Sequence, residues 1–269
     1  MIVELQDNTR IDLNNYGVKR LFHYIPSLSL SHRTQTIEGR GDMVVSSEYK
    51  QRNIRATLLF IVENIYKYYA LRDELNALFA RNEAFYITFK REQWKRYKVR
   101  LASQLNVDPA IHMNSFDVDF LMDEKYAEST DTSLDLQKNG AQSNLLQGLG
   151  ITTNTAYNYT FNTANFVVKN IGNALVDPRE AQLDITIKGV FQSQVKMTNQ
   201  TTGDVFIFTG ALTANDTLKL TGVRTLKNNV SALKSTNKKL ITLNPGENNF
   251  LIEGGTVTSI VFDFRFLYM

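Results

Sequence analysis

The chain has 269 residues, 43% of them hydrophobic, with 30 Lys and Arg against 27 Asp and Glu for a formal net charge of +3. That length fits two ordinary domains better than one, the apolar content suffices for packed cores, and so small a charge makes no case for a nucleic-acid partner. Cysteine is absent, which excludes disulfides and thiolate metal sites, and the longest apolar run, Leu58 to Val62, is far short of the roughly 20 residues of a transmembrane helix.

Residues 1–7 carry no basic stretch followed by an apolar one, so no signal peptide is expected there, and folding in a cytoplasm is the expectation. Residues 1–6 are expected to form a short strand, Asn14-Asn15-Tyr16-Gly17 a turn and Leu28 to Ile37 a strand. Ile54 to Val62 is a strong strand whose middle is expected to be buried on both faces. Ile65, Tyr68, Leu71, Leu75, Leu78 and Phe79 recur every three or four residues and predict a helix from about Ile65 to Arg81. Ala84 to Lys90 and Trp94 to Leu101 predict a hairpin. Phe116, Val118, Phe120 and Met122 then alternate with polar residues, so one face of that strand is apolar.

From Glu124 to Asn165, Ser, Thr, Asn, Gln and Gly dominate and hydrophobic periodicity fades. Residues from about 127 to 150 are expected to be a linker with a helical turn near Leu145, which divides the chain into 1–130, a linker at 131–150, and 151–269. Short strands follow: 166–170, 183–190, 194–198, 205–208, 217–220, 240–243, 249–253 and 256–267. Turns are expected at Thr201-Thr202-Gly203-Asp204, Asn244-Pro245-Gly246 and Gly254-Gly255. In the last strand Ile260, Phe262, Phe264, Phe266 and Tyr268 share one face. Many short strands without a convincing helix predict a β-sandwich, so the fold class is mainly β in both halves.

Charge is unevenly distributed. Residues 81–100 hold seven Lys or Arg and two Glu, whereas 117–135 hold seven Asp or Glu and one Lys. These blocks are solvated faces, or they meet within a subunit, or they meet between subunits and set the register of an assembly.

Chemistry-bearing patterns are weak. His23, His32 and His112 are isolated and form no metal-binding pair. There is no nucleophile elbow, and Gly148-Leu149-Gly150 lacks the strand–glycine–helix context of a phosphate loop. Asp117 and Asp119 share a strand face, an arrangement that paired catalytic carboxylates also use, but opposite the apolar face they are simplest as solvent-facing or intersubunit charges. The cations around Trp94 have one exposed stacker, a poor platform for nucleic acid. Arg40-Gly41-Asp42 spells an adhesion tripeptide that the surrounding turn already explains, and Asn-x-Ser/Thr at Asn158, Asn199, Asn215 and Asn229 carries little meaning without a secretory signal. No catalytic, cofactor or metal site is expected.

Two stretches together carry a resemblance. Ile37-Glu38-Gly39-Arg40-Gly41-Asp42, then Tyr49 to Ile54, the strand, and the helix with Tyr69 to Leu75 form the first. Leu240 to Phe250, a Gly pair and the aromatic strand form the second. Their order and spacing resemble the distal tail protein family of phages with long non-contractile tails. The resemblance implies a hexameric ring made by a β-sandwich-like first domain with one helix, around a channel that DNA passes without specific binding. It implies a galectin-like second β-sandwich projecting outward. It further implies as partners the tail tube protein, the tail-associated fibre or lysin protein and receptor-binding proteins, with assembly in the host cytoplasm and residence at the virion tail tip, without enzyme activity or membrane. Gly39 and Gly41 would permit a tight turn and Pro245-Gly246 would set another. Lys95, Arg96 and Lys98 against Asp117 and Asp119 are the expected ring contacts. Where a Pro before the aromatic is expected in the 84–101 hairpin, this chain has Arg91-Glu92-Gln93-Trp94. The alternative class is a carbohydrate-binding or adhesin module of a cell-surface system, although the second half has neither Trp nor His for a galectin-type sugar site.

Overall fold

The structure is a computed structural model. It describes residues 1–107, 112–151 and 157–269, and its chain separates into two compact units, Met1–Ala127 with Met269, and Glu128–Tyr268.

In the first unit the strands are β1 (Ile2–Glu4), β2 (Arg10–Asp12), β3 (Val18–Tyr24), β4 (Leu30–Ile37), β5 (Gly41–Tyr49) and β6 (Asn53–Val62). After helix α1 (Ile65–Phe79) come β7 (Phe85–Thr88), β8 (Lys95–Leu101) and β9 (His112–Met122). Seven of them form one antiparallel sheet in the order β3-β6-β9-β8-β7-β1-β2. Asn64 starts α1 by accepting the Lys67 amide at 2.9 Å. The expected stripe, Tyr68, Leu71, Leu75, Leu78 and Phe79, is buried. The alternating residues of the sheet supply the other half of the core: Phe60, Phe85, Val99, Val118 and Phe120. Phe79 meets Phe120 edge-on at 5.3 Å, and each such ring contributes about 1.5–3 kcal/mol by burial. The middle of β6 is buried on both faces as expected: Ile54, Ala56, Leu58, Phe60 and Val62 form the inward row, Thr57 on the other face is also buried, and towards the strand's end Ile61 is 45% exposed.

In the second unit β10 (Ala127–Thr132), α2 (Ser133–Asn139) and α3 (Asn144–Gly148) occupy the segment expected to be a linker at 131–150. The linker expectation fails for physical reasons that composition hides. Thr132 and Asp135 form a reciprocal capping box on α2, and Leu136, Leu145 and Leu146 are buried. The Ser133 hydroxyl donates to the Phe262 carbonyl and accepts from the Phe264 amide, while the Ser129 hydroxyl accepts from the Phe266 amide. β10 is a hydrogen-bonded neighbour of β18, and these serines add side-chain bonds to the same backbone, which is why a polar segment packs.

The remaining strands are β11 (Thr160–Phe161), β12 (Asn165–Asn170), β13 (Leu183–Asn199), β14 (Asp204–Thr209), β15 (Leu218–Thr221), β16 (Arg224–Lys227), β17 (Val230–Ser231) and β18 (Gly246–Tyr268). β13 and β18 are long, bent and paired with each other along most of their lengths. Their early and late halves recruit different neighbours: β12 joins the first half of β18, β14 the second half of β13, and β15 the first half of β13. Gly254-Gly255, expected as a turn, is a bend inside β18. A Cβ on Gly254, whose φ is +104°, would lie 2.2 Å from the Gln194 carbonyl oxygen, and one on Gly255 equally close to that of Val190. The 240–243 strand is also not formed. Asp204 accepts the Thr242 amide and Asn199 donates to the Thr242 carbonyl, so side chains take the backbone groups a ladder would use. At the 244–246 turn, where Gly246 has φ +91°, buried Asn248 accepts the Asn244 amide at 2.9 Å and donates to the Asn244 carbonyl at 2.8 Å.

Asp184 and Asp263 face each other across the β13–β18 ladder. Burial raises the Asp263 carboxyl above its ordinary value; a Thr132 hydrogen bond opposes this and Asp184 adds to it. The folded state therefore holds that proton more tightly than the unfolded chain, and this contribution is lost as pH rises through the folded value. Asp263→Asn is expected to raise the melting temperature at pH 7, with the gain shrinking towards pH 4, in thermal scans over that range. Gly254→Ala is expected to cost about 1–3 kcal/mol or more in denaturant unfolding, since the clash is with backbone.

Candidate assembly interface

The uncovered face of the first sheet is assembled by register. Phe22, Thr57 and Asp117 form one cross-strand row, and Tyr24, Arg55 and Asp119 the next. Thr57 donates to Asp117 at 2.5 Å, and the Arg55 fork meets both Asp119 oxygens at 2.7 and 3.0 Å. On β8 the side chains opposite the core continue this face. Arg100 pairs with Asp123 at 2.6 Å, Lys98 with Glu124 at 2.8 Å, and Arg96 with Glu4 while lying 4.0 Å over the Tyr86 ring. The Arg100 hydrogen bond holds the Asp123 carboxyl below its usual range, and the Glu124 hydrogen bond raises Lys98. Lys95 lies 4.2 Å over Trp94.

The basic and acidic blocks thus meet inside the first unit. Of the residues expected at a ring contact, Asp117 and Asp119 share the outward face with Phe22 and Tyr24, and Lys95, Arg96 and Lys98 sit on β8. Each already has an intramolecular partner, so matched pairs of this kind add little binding energy at a surface.

Beside these pairs the unit exposes apolar side chains. Phe22 is 60% and Tyr24 66% exposed. Ile61 and Met113 are cross-strand neighbours and both exposed. The β4–β5 hairpin is more extreme. It pairs with no other described strand, and all of its residues are exposed, among them Leu30, Ile37, Met43, Val44, Val45 and Tyr49. A register shift after Arg33 leaves Val45 as an extra residue on β5. Gly39 and Gly41, with φ of +77° and +78°, shape the tip. There Asp42 accepts from the Thr36 hydroxyl, so the Arg40-Gly41-Asp42 tripeptide is part of the turn. The partner strand β5 and its Met43-Val44-Val45 run were missed from the sequence. Three consecutive apolar residues in an otherwise polar stretch were the available signal.

The histidines are dispersed. His23 stacks on Phe89 at 3.7 Å and its Nδ1 lies 2.7 Å from the Arg20 guanidinium; burial first, then Arg20, lower its pKa. His32 bonds Ser47. The His112 side chain lies outside the described residues.

Residues 11–122 match the family model of the phage tail protein RIFT-related domain. No curated protein sequence matches the chain significantly. Among solved structures, the Dit protein (gp 19.1) of phage SPP1, described as a paradigm of the hub adsorption apparatus in phages infecting Gram-positive hosts, has 15% sequence identity. It aligns over 98% of both chains with a TM-score of 0.70. Structures of the phage p2 baseplate in its activated conformation, with strontium or with calcium, align at 10% identity over 98% of this chain and 97% of theirs, with a TM-score of 0.49. Residues 11–122 are therefore similar to a phage tail protein RIFT-related domain, and over nearly its whole length the chain has the fold of the Dit protein of phage SPP1.

Proposed function

We propose that this protein is a structural hub of the phage tail tip, without enzyme activity, whose first unit closes into a ring with copies of itself. The single observation that carries this reading is the exposed β4–β5 hairpin with its Met43-Val44-Val45 run. A lone two-stranded hairpin is marginal in water, and its free edges invite pairing with another chain. A heterologous contact, in which the hairpin of one copy seats on a different surface of the next, closes into a ring when the rotation allows. Phe22 and Tyr24 on the uncovered sheet face suit such a seat, with Asp117 and Asp119 beside them. Lys95, Arg96 and Lys98 are proposed as the contact's polar rim, where matched charges set register.

By the family resemblance, the ring has six copies, joins the tail tube protein to the fibre or lysin protein, and passes DNA through its channel without specific binding. The second unit is proposed to dock further tail-tip components, receptor-binding proteins among them, and assembly is proposed to take place in the host cytoplasm.

The ring is tested by native mass spectrometry and light scattering over a range of concentrations. The wild-type chain is expected to form a closed oligomer. Val44→Asp with Val45→Asp is expected to yield monomer with an unchanged circular dichroism spectrum, because both side chains are mostly exposed within the chain. A monomeric wild type at all concentrations, also in the presence of tail tube protein, would defeat the reading. Arg96→Glu separates folding from assembly. Its guanidinium and Glu4 are only 11% and 13% exposed, so the variant is expected to lose about 3 kcal/mol of stability in the isolated monomer.

A further inference from the structure

The second unit carries a surface that the ring does not use. Residues 217–246 contain six Lys or Arg and not one Asp or Glu. Two of these cations are matched: Lys227 with Asp216 at 3.3 Å, and Lys219 with Asp184 at 3.9 Å. Arg224, Lys234, Lys238 and Lys239 are exposed and lie within 4 Å of no carboxylate among the described residues.

The fold gathers this segment. β16 and β17 form a tight hairpin through Asn228 and Asn229, both with positive φ. The Ala232 amide returns to the Thr225 carbonyl, which holds the following 3-10 turn (Leu233–Ser235) beside β16. Arg224 and Lys239 line the same shallow depression. Three apolar side chains of the same segment are exposed, Val223 at 53%, Val230 at 70% and Leu233 at 40%, while Lys238 and Lys239 follow Asn237, which is bonded to Val205 and Ile207 of β14. β17 is also the end strand of its sheet, so its outer backbone groups face no described strand.

We propose that the β16–β17 edge is a docking surface for an extended, acidic polypeptide segment bearing alternating apolar residues. Unmatched cations supply attraction and steering. The exposed valines and leucine add apolar area to that charge, as protein interfaces do. The free edge of β17 offers main-chain hydrogen bonds to an added strand. A nucleic acid or a glycan fits less well, since residues 217–246 contain no aromatic residue on which a base or sugar ring could stack. The proposal stands apart from the ring, and its test does not depend on oligomer formation.

The test is fluorescence anisotropy of the full-length chain with a labelled nine-residue peptide of alternating Val and Glu. A Val/Lys peptide, polyglutamate, a single-stranded DNA oligonucleotide and poly(glycerol phosphate) serve as comparisons. The Val/Glu peptide is expected to bind saturably and at least tenfold more tightly than polyglutamate. Lys238→Glu with Lys239→Glu, and separately Val230→Ser with Leu233→Ser, should each weaken it about tenfold. All four positions are exposed, so melting temperatures should not move. Equal binding of the Val/Lys peptide overturns the proposal. So does binding of the DNA or the glycerol phosphate polymer as tightly as the Val/Glu peptide, with the apolar variants unaffected, since the surface would then be a general polyanion site.

Discussion

A sheet has two faces, and in the first unit one helix of 15 residues covers only one of them. Everything else about that unit follows from this imbalance. The inward row of β6, β8 and β9 is apolar because it packs on α1, and Phe79, Phe85 and Phe120 lock α1, β7 and β9 together. The outward row has no such cover. Its charges therefore neutralise one another across strands, Arg55 with Asp119 and Arg100 with Asp123, which makes the face self-sufficient in electrostatics. Its rings, Phe22 and Tyr24, have no comparable solution. An apolar side chain is satisfied only by another surface.

The second unit solves the same problem differently. Two long strands bend so that each serves both layers of the sandwich, which demands glycine where the backbones approach most closely. Side chains supply further backbone bonds: Ser129 and Ser133 on β18 beside its neighbour β10, Asn199 and Asp204 along 240–243, Asn248 at the turn. Each is a short polar arm to the main chain, so buried backbone groups stay satisfied.

These devices also set what the sequence disclosed. Period-2 and period-3.6 patterns report which residues face a core, and α1, β9 and the late half of β18 were legible because their stripes face one. The 131–150 segment was illegible because its packing rests on a capping box and inserted serines, which composition counts as linker chemistry. The continuity of β18 through Gly254-Gly255 was hidden for a related reason: glycine marks a chain reversal and a close backbone approach alike. At the candidate interface, the charge blocks were visible but not their pairing. Lys98 and Glu124 are 26 positions apart and meet only because β8 and β9 are neighbours. The hairpin was half seen, since β5 has no core-facing stripe at all.

Charge matching then separates two kinds of surface. Where ion pairs are closed within the chain, as on the outer face of the first sheet, a partner gains little from adding its own charges and would have to break pairs to use them. Association there has to draw on apolar area and strand edges, and such contacts weaken little with salt. In the segment that holds β16 and β17, Arg224, Lys234, Lys238 and Lys239 lie within 4 Å of no carboxylate among the described residues, so a partner of opposite charge completes pairs instead of exchanging them. Contacts of the second kind form quickly and respond to ionic strength. On the two proposals, the chain would hold copies of itself through a surface that responds little to salt and engage a different protein through one that responds strongly.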